Sequence, residues 1–281
     1  MILNLFLEPL SFEFMRNAIA TAILLGVLCA VVGSFLIVQR MGLLGDVIAH
    51  AVLPGLAIAF FLGIDIFLGA FISGSFSTFV ISWIQSQSKV KVDVAMALVF
   101  SGFLALGIMS ITLLKSKIDL HSLLFGDILG VTISDVSRTL IITVCVLALV
   151  KLFYKELLFY TFDPLAAQAI GLPVNLIHIG LISATTLTII VSMQAVGVLL
   201  VVSLLIGPSS TAYLLVKELP EMMGLGAVIG AISSIGGMYI SYYLNVPSGA
   251  SIVLLVCGLF LLSMLFSPSQ GILTRKRSSN N

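Results

Sequence analysis

Long apolar runs broken by short polar links make up nearly the whole chain. A helix rising about 1.5 Å per residue needs roughly 20 apolar residues to cross a hydrocarbon layer of ~30 Å. Runs of that kind fall at about 17–38, 46–62, 66–84, 93–114, 136–154, 222–243 and 250–266. The stretch 174–216 holds 43 mostly apolar residues, twice what one crossing needs, and divides near Gln194. The pattern predicts an all-α, polytopic membrane protein of about nine transmembrane helices, or eight if 174–216 crosses once. A β-barrel is excluded, because its spans would be short and alternating. Between the runs, residues 1–16 (MILNLFLEPLSFEFMR) read as an amphipathic piece lying at the interface. Residues 39–45 form a tight link, 63–65 a turn and 85–92 (QSQSKVKV) a basic loop. Residues 115–135 read as a short surface helix and loop, 155–173 as a more polar interval, and 245–249 (NVPSG) as a turn. The tail at 268–281 is polar and basic.

Composition agrees with the pattern. Hydrophobic residues make up 60% of the chain, charged residues only 9%, and mean hydropathy is +1.24. Soluble domains average about 25% charged residues, so a multi-pass protein of the cell membrane is expected. Net charge is +1, and the basic residues are scattered apart from Arg275-Lys276-Arg277, so nothing suits nucleic acid. Cys29, Cys145 and Cys257 sit singly inside apolar runs and read as buried small hydrophobes. The run at 17–38 is too long for the h-region of a cleavable signal peptide. Nine spans put the termini on opposite sides. With the C-terminus inside, Arg40, Lys89, Lys91, Lys151, Lys155, Lys217, Arg275, Lys276 and Arg277 face inward against Arg16, Lys115, Lys117 and Arg138 outward, which favours N-out, C-in. The small-residue pair Gly226 and Gly230 marks close helix packing.

Chemistry concentrates in three stretches. The first is QRMGLLGDVIAHAVLPG at 39–55. Its Asp46 and His50 lie four apart, on one helix face, at the head of an apolar run where ionisable groups are costly enough to mark function. A carboxylate and an imidazole suit a divalent transition metal and make half a site; carbonyls, water or a second copy must supply the rest. The same spacing suits a plain polar pair with Asp46 as an N-cap. Pro54 lacks an N–H and clashes with the His50 carbonyl, so it kinks the span beside the pair and leaves that carbonyl free to face a cation or water, unless it is an ordinary proline kink. The second stretch is FDPLAAQAIGLP at 162–173, where Asp163 caps a helix of about two turns, Pro164 starts it, and Gly171 and Pro173 stop it. Ala166, Ala167 and Ala169 give it a smooth face for a partner groove, unless it is only a linker. The third is QAVGVLLVVSLLIGPSSTA at 194–212, whose Gly207-Pro208 marks a helix break or kink within or near the membrane.

These stretches, in this order, resemble the membrane permease family of ABC-type manganese and zinc importers, relatives of the type II vitamin and siderophore importers. KVKVDVAMALVFSGFLALG at 89–107 and HSLLFGDILG at 121–130 extend the likeness over nearly the whole chain. The resemblance implies one transmembrane permease domain over 1–281 working as a homodimer. It implies two cytoplasmic ATP-binding subunits and an extracytoplasmic metal-binding protein as partners, with the bilayer around them. It assigns Asp46 and His50 to metal contact. It assigns 162–173, with Phe162, Asp163, Pro164, Leu165, Ala166, Ala167 and Gly171, to a cytoplasmic coupling helix on the ATPase. Manganese is the favoured cargo, with zinc or iron as alternatives. The chain itself is expected to bind no cofactor and catalyse nothing; no G-x-x-x-x-G-K-[ST] occurs in it, so ATP belongs to a partner.

Two rivals belong to other classes. A secondary divalent-cation transporter could use the same pair, but no internal repeat is visible. An intramembrane protease needs two aspartates or a zinc motif. Asp46 and Asp127 each follow a glycine, yet Asp127 falls in a charged outer segment, and His50, His121 and His178 form no H-E-x-x-H. His121 reads as a surface residue and His178 as a polar contact on a helix face.

Overall fold

The computed structural model describes residues 8–114 and 126–267. The first part of the interfacial piece, the whole of 115–125 with His121, Lys115 and Lys117, and the tail with Arg275, Lys276 and Arg277 lie outside the described residues. Among the described residues the chain is helical, with no strand. Helix α1 spans Glu13–Val38, α2 Leu44–Ala51, α3 Leu53–Leu62, α4 Ile66–Gln87 and α5 Val92–Leu113. A 3-10 turn at Ile128–Gly130 leads to α6, Ile133–Leu152. Helices α7, Tyr154–Phe162, and α8, Pro164–Ala169, are short. The last four are α9, Val174–Val196, α10, Val198–Leu215, α11, Leu219–Leu244, and α12, Ser248–Phe266. Counting α2 and α3 as one span, nine segments among the described residues are long and apolar enough to cross a membrane.

The 174–216 run is two helices. The break falls at Gly197, whose φ of 79° and ψ of 162° turn the chain, three residues beyond Gln194. The turn is closely packed: a Cβ on Gly126, itself at φ 62°, would meet the backbone of Val196 and Gly197. The helix continues through Gly207-Pro208 without a break. Hydroxyls beside the proline bond nearby carbonyls: Ser209 Oγ reaches those of Leu205 (3.0 Å) and, across to α1, Ala30 (2.9 Å), and Thr211 Oγ1 donates to that of Gly207 (2.7 Å).

Helix α1 is the centre of the bundle and packs on α11, α10, α6 and α9. Its buried face holds Leu25, Leu28, Phe35 and Cys29. It ends in a left-handed turn: Arg40 at φ 59° sends its N–H to Ile37 O (3.0 Å), and Met41 sends its own to Leu36 O (2.8 Å). That turn fixes the direction in which the Asp46 segment leaves α1. Lipid is as apolar as leucine, so apolar burial does little to hold one helix on another here, and close packing of small residues does more. Gly26 and Gly230 show this: a Cβ on Gly26 would come 2.7 Å from the Gly230 carbonyl oxygen.

Three expectations change. Cys145 and Cys257 are exposed on helix faces; only Cys29 is buried, because the outer helices leave much of their surface to lipid. Helix α1 starts at Glu13 rather than near residue 17, extending into the piece read as interfacial. The polar interval 155–173 holds two helices and not one, since α7 precedes the expected short helix.

The α1–α11 crossing gives a test. Gly26→Val puts its Cβ against backbone that cannot give way, at a cost of about 1–3 kcal/mol. A lower thermal unfolding midpoint is expected for the detergent-purified protein. Gly258→Val, where nothing lies within 4 Å, should leave the midpoint unchanged.

Candidate functional site

Asp46 and His50 share one face of α2, as their spacing predicts, and they touch. His50 Nδ1 lies 2.9 Å from the Asp46 carbonyl oxygen and 3.3 Å from Asp46 Oδ1. A carbonyl can only accept, so Nδ1 carries the proton and donates it. The Nε2 nitrogen of the neutral ring then holds the lone pair, the arrangement in which a histidine is oriented through one nitrogen to ligate through the other. Asp46 is not an N-cap: that position is Leu43, and Asp46 lies inside the first turn, beside the positive helix end. The Asp46 side chain is 42% exposed and that of His50 17%. The imidazole stands edge-on to Phe100 of α5, ring centres 4.9 Å apart.

The span breaks just after the pair. Val52 separates α2 from α3, and Pro54 sits in the first turn of α3. Proline therefore ends one helix and starts the next, and it withholds the donor that the His50 carbonyl would have met four residues on. The neighbouring Ala51 carbonyl is covered across the interface by Ser73 Oγ, at 2.6 Å. Small residues clamp the break. A Cβ on Gly69 of α4 would come 2.5 Å from Gly55 O, and one on Gly107 of α5 would come 2.6 Å from Leu53 Cβ. On the other side, a Cβ on Gly45 would meet Leu205 Cδ2 at 2.6 Å.

The pair alone does not enclose a cation. Among the described residues, no group of three His, Cys, Asp or Glu side chains is placed to hold a metal ion. Two donors fit a divalent transition metal in kind but leave its remaining positions to carbonyls, water or another chain. Asp127 is not part of this site. It closes the 3-10 turn, accepting the Gly130 N–H at 3.2 Å, and lines a separate hollow with Asp135, Arg138 and Gln194.

The second candidate element is α8. Asp163 Oδ1 accepts the Ala166 N–H at 2.9 Å, Pro164 opens the helix, and Gly171 at φ 88° closes it. Phe162, Leu165 and Ile170 are exposed, Leu165 by 79%. The expected smooth alanine face is only partly present: Ala167 is buried, while Ala166 and Ala169 are exposed beside these larger apolar side chains.

His178 does make polar contacts. Ser82 Oγ donates its proton to Thr78 O (3.1 Å), so His178 Nε2 donates to Ser82 Oγ (3.0 Å), and Nδ1 accepts from Tyr160 Oη (2.5 Å). Gln39 Nε2 donates to Thr161 Oγ1 (3.3 Å). These bonds gather Gln39, Ser82, Tyr160, Thr161 and His178 at one end of the bundle. Sequence reasoning missed Tyr160 and Thr161. The signal was the i, i+3, i+4 spacing of Leu157, Tyr160 and Thr161, all three buried.

The model of the ABC 3 transport family matches residues 11–267. The chain is 44% identical over 274 residues to the manganese transport system membrane protein MntC of Listeria monocytogenes, covering 97% of this chain and 98% of that one. It is 38% identical to a probable iron transport system membrane protein of Haemophilus influenzae, covering 93% and 96%. A solved structure, PsaBC from Streptococcus pneumoniae in complex with Fab, superposes with a TM-score of 0.85 at 42% identity, over 96% of this chain and 98% of the other.

The helix break is open to test through the Ser73 hydroxyl. Ser73→Ala removes the donor that covers the Ala51 carbonyl, a loss of about 1–3 kcal/mol for a buried acceptor. The purified protein should unfold at a lower temperature, whereas Ser101→Ala, on an exposed helix face, should not change it.

Proposed function

The chain belongs to the ABC 3 transport family, and from that premise we propose that it is the membrane-spanning subunit of an ATP-driven importer whose cargo is manganese. It is a multi-pass membrane protein. The observation that carries the site assignment is the Asp46–His50 pair: a half-buried carboxylate and imidazole in contact beside a helix break, with Nδ1 committed to the backbone and Nε2 holding the lone pair. Manganese is favoured because relatives of 44% identity are named for it. Iron is the second reading, since a relative of 38% identity is named for iron transport.

In the mechanism, a metal-binding protein on the outer side hands over the ion, and Asp46 and His50 replace part of its hydration shell. A second copy of the chain completes the ligand set across a homodimer interface. The scattered lysines and arginines support an N-out, C-in orientation, which sets α8 and its exposed Phe162, Leu165 and Ile170 on the cytoplasmic side. There α8 docks on a separate ATP-binding subunit, with Asp163, Pro164 and Gly171 shaping it and Leu165 as the anchor. ATP-driven closure of those subunits moves the helix, and the path opens inward.

Uptake of manganese, iron and zinc should be compared in cells producing the chain with its ATPase and binding protein. His50→Ala and Asp46→Ala are each expected to cut manganese uptake at least tenfold at equal expression, about 1.4 kcal/mol or more. Normal uptake in both variants would move the site elsewhere, and uptake of iron in place of manganese would change the cargo alone. Leu165→Asp, at a position 79% exposed, should leave the chain in the membrane but reduce co-purified ATPase at least fivefold; full retention would remove α8 from the docking surface.

A further inference from the structure

We infer that Tyr160 and Thr161 of α7 are positioning residues that carry the movement of α8 into the membrane bundle, through the Tyr160–His178–Ser82 relay and the Thr161–Gln39 bond. The inference rests on the reading of α8 as the ATPase-docking helix. Helix α7 ends at Phe162, and the next residue, Asp163, caps α8, so the two helices share one joint. Its outer face shows Phe159 and Phe162, while Leu157, Tyr160 and Thr161 are buried.

The last buried turn before the joint is bonded in two directions. Tyr160 Oη donates to His178 Nδ1 of α9, whose Nε2 donates to Ser82 of α4, whose hydroxyl donates to Thr78 O one turn back. The next residue, Thr161, accepts from Gln39, which closes α1 and opens the link to α2. One turn of α7 thus holds α4 and α9 on one side and the start of the Asp46 segment on the other. Apolar contacts slide, whereas short directional bonds hold a fixed offset. Leucine and phenylalanine would pack this site without the desolvation cost that buried polar groups carry. Their use at this joint fits a connection whose geometry matters.

The test uses the full importer, with ATPase and binding protein, in proteoliposomes with manganese. Tyr160→Phe keeps the ring and removes only the hydroxyl, and Thr161→Val keeps the shape. Each is expected to retain ATPase in the complex and hydrolysis within twofold of wild type, while manganese imported per ATP falls at least threefold and falls further in the double variant. Thr161→Ser, which restores a hydroxyl, should recover most of the ratio. An unchanged ratio in both single variants, or hydrolysis and uptake falling together, would overturn the inference. Failure of the docking reading shows separately, as full ATPase retention in Leu165→Asp.

Discussion

Backbone-to-backbone approach at small residues is the constraint on which the rest of this structure depends. In a bilayer a leucine meets an apolar neighbour whether it faces protein or lipid, so hydrophobic burial selects no single arrangement of helices. What selects one is contact at places where a side chain would not fit. Gly26 against Gly230 joins α1 to α11, and Gly55 against Gly69 joins α3 to α4. Gly107 sits against Leu53 and Pro54, and Gly45 against Leu205. Three of these four contacts surround the segment 44–55. The position of the Asp46–His50 pair is therefore set by α4, α5 and α10 together.

That clamping is what lets the span break where it does. Unsatisfied backbone groups are costly in the membrane, and irregular backbone survives only against protein or a wet cavity. At Val52 the break is tolerated because Ser73 covers one carbonyl and neighbouring helices close over the rest. In α10, Ser209 and Thr211 add hydroxyl bonds to the carbonyls of Leu205 and Gly207, just before Pro208. In α10 the helix continues through its proline; at Val52 it ends. The difference lies in position. Pro208 has helix on both sides with a hydroxyl at the next residue, whereas Pro54 falls in a first turn, where a missing N–H costs nothing.

Much of this was legible in the sequence. Run length identified the spans, and the i, i+4 spacing of Asp46 and His50 did place them in contact. Asp163, Pro164 and Gly171 bounded α8 because each residue type has a local backbone consequence that tertiary context did not override. The division of 174–216 near Gln194 holds, with the turn at Gly197, whereas the break or kink read at Gly207-Pro208 is no break, since the helix runs on through it. Cys145 and Cys257 were read as buried, yet in a membrane protein apolar surroundings in sequence do not mean burial in protein. Helix α7 was missed because its polar residues marked only a more polar interval, while its buried face, Leu157, Tyr160 and Thr161, is only three residues wide. Asp46 as an N-cap was a fair local reading that failed because helix α2 starts two residues before it.

A site that passes cargo on has different requirements from one that stores it. Every 1.4 kcal/mol of added binding free energy lowers the dissociation constant tenfold, and at a fixed on-rate that is a tenfold slower release. A closed set of four ligands in one chain would therefore work against transport. This chain offers less. The Nδ1 proton of His50 is shared between the Asp46 carbonyl and carboxylate, which leaves one imidazole nitrogen and part of one carboxylate for an ion. On the proposed reading, a second copy brings the same partial set to the same path. Affinity then depends on how closely the two copies approach, which is the quantity that ATP-driven movement of α8 would change. An incomplete site is in that sense a controllable one, because its strength is set between the chains and not within either.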